Sequence, residues 1–271
     1  MRYRLRQLAA GHGIAAALGG PAPSGRRLLA VVAQDRVTVS EVSARWRGRL
    51  LISETPAALS VAAAEKVQRA ARTLAQPLPG RADTATTRCE FALDADEDPI
   101  LLALSQEAAA PPAAAAVDGA VVFHAFVTAG EPAATGTTVT GLLTAVDLPA
   151  GALAHVACGE ALAVAPGHAL AVVPGRGTDR AAALQALAAA LARTRIAGIA
   201  SNLDLLRAAA ASPALARGLA GARELDALPY APCAIEVLTA GTHTTVQDAP
   251  GRLGSWGVGV PPSGPMDDLA F

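Results

Sequence analysis

TDRAAALQALAAALARTR, residues 178–195, decides how this chain is read. Leu184, Leu187 and Leu191 recur at helical spacing on one side, and Asp179 stands in the first turn where a negative charge suits the helix dipole. The pattern predicts a capped amphipathic helix over 178–194, stopped by Gly198. A leucine stripe of this kind has to be buried against another layer. The segments just upstream can supply that layer: GAVVFHAFVTA (119–129), TTVTGLLTAVDLP (137–149), ALAHVACGEALAV (152–164) and HALAVVPG (168–175). All four are short, bounded by turn residues and rich in β-branched side chains, as the strands of a small barrel or sandwich are. Downstream, IASNLDLLRAAAAS (199–212) predicts a second helix, capped by Ser201 or Asn202 and running to Ser212 before Pro213.

Farther from this centre the chain changes texture twice. EAAAPPAAAAVDG, residues 107–119, has no apolar period and reads as a linker. Before it, RRLLAVVAQDRVTV (26–39) reads as a strand with a turn, 59–76 as a helix, and TTRCEFALD (86–94) as an alternating strand. The second change follows Tyr230 to Cys233, a hinge into one more strand and then a Gly-Pro-rich tail. A length of 271 residues suits two compact units, or one with fragments attached.

Composition excludes several classes of function. A net charge of −1 gives no long-range field toward phosphate backbones or anionic lipid, and 3% aromatics leave little for base stacking. Nucleic acid and membrane are therefore not expected partners. Lys66 is the sole lysine, so no Walker loop or lysine pair on a nucleotide is available; it lies in AAAEKVQRAARTL, where a solvated helix face is the expected reading. Cys89, Cys158 and Cys233 are odd in number and widely spaced, which argues against a zinc site or disulfide framework and for a reducing, cytoplasmic setting. No apolar run reaches spanning length, and Gly11, His12 and Gly13 interrupt the basic N-terminal segment that would otherwise mimic a targeting peptide. His12, His124, His155, His168 and His243 share no ligand spacing.

IEVLTAGTHTTVQDAPGRLGSWGVGVPPSGPMDDLAF, residues 235–271, resembles the opening of the carboxyltransferase domain of the urea carboxylase (urea amidolyase) family, related to allophanate hydrolase subunit 2 and to a 5-oxoprolinase subunit. TRIAGIASNLDLLR (194–207) resembles the end of a biotin carboxylase C-terminal domain, and GLLTAVDLPAG (141–151) its G-x-I-T strand. ISETPA (52–57) and TTRCEFALDAD (86–96) resemble the E-E-x-P-A-P turn and the G-T-x-E-F strand of the ATP-grasp domain. The resemblance implies an α+β chain with a degenerate ATP-grasp remnant at 1–106, the Pro/Ala linker at 107–117, a biotin carboxylase C-terminal barrel-sandwich domain with two closing helices at 118–232, and the start of a carboxyltransferase domain at 233–271.

It also implies biotin, ATP and Mg²⁺ as the family's cofactors, allophanate made from urea as its product, and a biotin carrier domain with the rest of the carboxyltransferase as partners. The departures from the pattern decide what to expect of this chain. ILLALSQEAAAPP (100–112) stands where the family carries E-x-N-T-R-x-Q-V-E-H, and SARWRGRLLIS (43–53) where it carries Q-R-R-x-Q-K. Phe123 and Ala125 stand at its E-x-R glutamate and arginine. Glu90 alone matches a magnesium carboxylate, and one carboxylate makes a poor Mg²⁺ site. No residue is a convincing catalytic or cofactor-binding group, and no cofactor is expected to bind tightly. Gln247, Asp248, Ser263 and Asp267 are implied substrate-binding residues of the carboxyltransferase part, although Ser263 lacks a G-x-S-x-G setting and by itself reads as loop architecture. The expectation is a truncated or degenerate family member without independent activity. The alternative is a non-catalytic scaffold that docks a carrier or a carboxyltransferase partner.

Overall fold

The computed structural model describes residues 2–18, 26–33, 36–46, 49–75, 86–107, 120–130, 138–218 and 222–228. In chain order the elements are α1 (Arg2–Gly11), β1 (Ala15–Ala16), β2 (Arg27–Ala33), β3 (Arg36–Trp46), β4 (Arg49–Thr55), α2 (Val61–Ala75), β5 (Thr86–Leu93) and β6 (Pro99–Glu107). There follow β7 (Val121–Thr128), β8 (Val139–Leu142), β9 (Ala145–Asp147), β10 (Leu153–Ala154), β11 (Ala161–Val164) and β12 (Ala169–Gly177). The last are α3 (Arg180–Arg193), β13 (Arg195–Ala197), α4 (Leu203–Ala210), α5 (Pro213–Arg217) and α6 (Ala222–Asp226).

The strands on the two sides of the Pro/Ala tract do not form separate sheets. A nine-stranded sheet runs β1-β6-β5-β2-β3-β4-β7-β12-β10, antiparallel except for the β1–β6 pair. It crosses from the first half to the second at β4–β7, where Ile52 faces Ala125 and Glu54 faces Phe123. This departs from the expected self-closed barrel or sandwich. Without β7, the edge of β4 away from β3 would leave a row of backbone donors and acceptors unpaired, and β7 satisfies them. Among the described residues, only β8 with β11 and β9 with β13 form small separate ladders. The expected linker loses its first residue, since β6 extends to Glu107; residues 108–119 lie outside the described part.

The helices of both halves pack on one side of the sheet. α2 buries Ala63, Val67, Ala70, Ala71 and Leu74 against Leu28, Ala30 and Val32 of β2 and Phe91 of β5. α3 buries Leu184, Leu187 and Leu191 against Phe123, Ala125 and Val173, as its leucine stripe requires. The approach of α3 to β12 is close enough to demand glycine. A Cβ on Gly175 would lie 2.3 Å from the backbone nitrogen of Leu187, and one on Gly177 2.3 Å from that of Ala183.

Local signals were partly reassigned by tertiary partners. Asp179 is the N-cap of α3, not a first-turn residue, because its side chain accepts the Ala182 N–H at 2.8 Å. The helix ends at Arg193 rather than at Gly198; residues 195–197 are drawn into β13 by pairing with β9, and Gly198 follows at φ +100. Asn202 sits at the N-cap of α4 without capping it. Its buried amide instead accepts from the Thr128 N–H at 2.8 Å and donates to the Phe126 carbonyl at 3.0 Å, tying α4 to β7. The second helix also stops early, at Ala210, since Ser212 caps α5 by accepting from the Leu215 N–H, with Pro213 opening that helix.

Two substitutions test this packing. Gly175→Ala should force α3 off β12 and cost about 1–3 kcal/mol in urea unfolding. Leu187→Asp, which sets an unpaired carboxylate into the same contact, should cost about 3 kcal/mol or more. Wild-type unfolding midpoints for both variants would refute the contact.

Candidate functional site

The side of the sheet away from the helices carries the candidate site. Register places Leu29 opposite Glu90 and Val31 opposite Arg88, so Glu90 and Arg88 share a face with these apolar residues. Leu29, Val31, Val42, Leu50, Phe126 and Val172 form a core cluster on this face, to which no described helix contributes. The Arg88 guanidinium lies 5.0 Å from the centre of the Phe126 ring, a cation–π distance. Arg45 on β3 reaches past β2 to form an ion pair with Glu90, the two side chains being 23% and 18% exposed. Arg27, on the intervening β2, is held below the ordinary guanidinium pKa by burial and then by the charge of Arg45, with Glu90 opposing.

Glu90, matched in sequence to a metal carboxylate, is thus engaged by an arginine. No group of three or more His, Cys, Asp or Glu side chains suited to a metal ion occurs among the described residues. Lys66 is not simply solvated: on α2 it forms an ion pair with Asp98 at 2.6 Å and donates to the Asp96 carbonyl at 3.0 Å. The Asp98 hydrogen bond holds its pKa above the ordinary value. Phe123 and Ala125, at the family's E-x-R glutamate and arginine, are fully buried on the helix-covered face.

That covered face has its own polar centre, which sequence reasoning did not find. Arg180 at the start of α3 donates to Glu54 at 3.1 Å and to the carbonyls of Ala216 at 2.7 Å and Gly218 at 2.9 Å. Its guanidinium stands 5.2 Å from the centre of the Phe123 ring. Trp46 donates its indole N–H to Asp226 at 2.5 Å. These partners are far apart in sequence, and no spacing rule links them. The hub joins β4, β7, α3 and α5 and is built to hold elements together.

The remaining candidates are dispersed. His12 and His168 are exposed, His155 is half-buried and His124 is buried on β7. Burial pushes the Cys89 thiol up to about 12, while Cys158 is exposed. Gln247, Asp248, Ser263, Asp267, His243 and Cys233 lie outside the described residues, with the whole segment read as a carboxyltransferase start.

His124 supplies a pH test of the face. Burial, and secondarily the charge of Arg176, push its pKa from 6.5 down to about 4. Below pH 6.5 the unfolded chain takes up a proton that the folded chain refuses until about pH 4. Stability should therefore be insensitive to this group above pH 6.5 and decline as the pH falls toward 4. The total is about 3 kcal/mol on a conversion of 1.36 kcal/mol per pKa unit. Denaturant titrations across that range should show His124→Gln with a shallower acid slope, and identical slopes would refute the assignment.

No family profile matches the chain. The urea amidolyase of Lachancea kluyveri is 39% identical over 133 residues, which cover 48% of this chain and 7% of that protein. The crystal structure of Kluyveromyces lactis urea carboxylase superposes with a TM-score of 0.62 at 26% identity, covering 100% of this chain and 26% of that one. A biotin carboxylase domain of Hydrogenobacter thermophilus 2-oxoglutarate carboxylase shares the fold, with a TM-score of 0.53 at 13% identity over 74% of this chain. The chain spans a small part of the length of these urea-specific relatives. No described helix is long and apolar enough to cross a membrane. By sequence and by fold the chain is similar to a segment of the urea amidolyases and urea carboxylase.

Proposed function

We propose that this chain is a urea carboxylase-type segment that does not by itself drive ATP-dependent carboxylation. One observation carries the reading. β6, where the resemblance puts the family's catalytic strand, presents Ile100, Leu101, Leu102, Ala103 and Leu104, with Leu101 fully buried. Activating bicarbonate with ATP needs cations clamped on the transferring phosphoryl oxygens and a metal bridging the phosphates. Aliphatic side chains supply neither. The one lysine is committed to Asp98, on a helix that packs against the other face of the sheet. The Hydrogenobacter thermophilus domain is described with MgADP, ADP and bicarbonate; in this chain the residues at the corresponding motifs do not suit that set.

On this reading urea, biotin and allophanate belong to the chemistry of the family. A biotin carrier domain and a carboxyltransferase are the partners this chemistry uses, with Gln247, Asp248, Ser263 and Asp267 as substrate contacts on the carboxyltransferase side. A scaffold role is the second reading. It is favoured by the intact packing of α3 and α4 on β7 and β12, which persists beside the altered motifs of the first half.

The test is phosphate release from ATP by the purified chain with bicarbonate, free biotin and Mg²⁺. No release above the rate without bicarbonate is expected. Steady biotin-dependent release that Glu90→Ala abolishes would overturn the reading and restore Glu90 as a metal ligand.

A further inference from the structure

We infer that Arg45, with Arg27 on the same face, holds the position at Glu90 that a divalent cation would need, so that the Glu90 carboxylate is neutralised from within and takes no metal–nucleotide complex. The inference deepens the proposed function by giving it a physical cause, and it rests on that reading only for the expectation that a metal nucleotide belongs on this face.

The three residues come from three adjacent strands, β5, β2 and β3. Glu90 faces the same side as Leu29, its register partner, and Arg45 reaches it over the intervening strand. Arg27 lies on that strand two residues before Leu29, paired with Ala92, and so shares the face of Glu90. Two guanidinium groups beside one carboxylate leave the local charge positive, which repels a divalent cation before any ligand geometry is considered. Mg²⁺ also requires several oxygen ligands in near-octahedral order. Among the described residues Glu90 belongs to no group of three or more His, Cys, Asp or Glu side chains suited to a metal ion.

Arg45 is tied to this arrangement by its own burial. Its Nε is buried without a hydrogen-bond partner, so the guanidinium already forgoes part of its hydration and depends on Glu90 for compensation. Removing either member should leave the other as an uncompensated charge in a mostly buried setting. Removing both should relieve that penalty. A metal ligand behaves in the opposite way, since neutralising a carboxylate that carries no metal reduces repulsion at its site.

A double-mutant cycle on the full chain, read by thermal unfolding, separates the two cases. Glu90→Gln and Arg45→Met should each lower the Tm by several degrees, and the double variant should lose clearly less than the sum of the two. In parallel, Mn²⁺ titrated into the native chain should keep the full free-ion paramagnetic resonance signal, and MgADP should give no heat of binding. Additive losses in the cycle would overturn the inference. So would Mn²⁺ uptake by the native chain that Glu90→Gln removes. If a single variant fails to fold, the Mn²⁺ titration of the native chain still decides. ATP cleavage through other groups, with Glu90 and Arg45 still coupled, would defeat the proposed function and leave this inference standing.

Discussion

The pairing of β4 with β7 is the constraint on which the rest of the structure depends. Ile52 to Thr55 of one strand run antiparallel to Val122 to Ala125 of the other, and through them the strands on both sides of the Pro/Ala tract become one sheet. Backbone hydrogen bonds set this ladder, but its register is held by side chains. Glu54 and Phe123 are opposite each other, and both are engaged by Arg180 from α3. A slip of one residue would turn either Glu54 or Phe123 to the other face and leave that arginine without its carboxylate or without its ring.

One sheet with all its described helices on a single side has unequal faces. The covered face is filled by leucine, alanine and phenylalanine, and it admits α3 so closely that β12 carries glycine at Gly175 and Gly177. The opposite face mixes Leu29, Val31, Phe126 and Val172 with Arg27, Arg45, Arg88 and Glu90. Charges tolerate such a setting only when paired or stacked. The Arg45–Glu90 pair and the Arg88–Phe126 stack satisfy that condition for three of the four charges.

Secondary structure was legible wherever the period was long and the partner local. The α3 leucine stripe, the α2 segment and the strands β2, β3, β5, β7 and β12 follow directly from residue alternation. Boundaries set by distant partners were not legible. Asn202 looks like a cap in sequence, yet in the fold its amide serves Thr128 and Phe126, more than seventy residues away. Gly198 looks like a helix stop, but the helix has already ended because β9 pairs with residues 195–197.

The sequence by itself determined the resemblance to urea carboxylase, the single lysine and the amphipathic helices, because each of these is written in residue identity or in short-range spacing. Tertiary structure alone decided that the two halves share one sheet, that Arg45 answers Glu90, and that Arg180 answers Glu54 across the chain. The reason is physical. Propensity and period act over one or two turns, whereas strand pairing and charge compensation are chosen by whichever distant group best satisfies a buried donor, acceptor or charge.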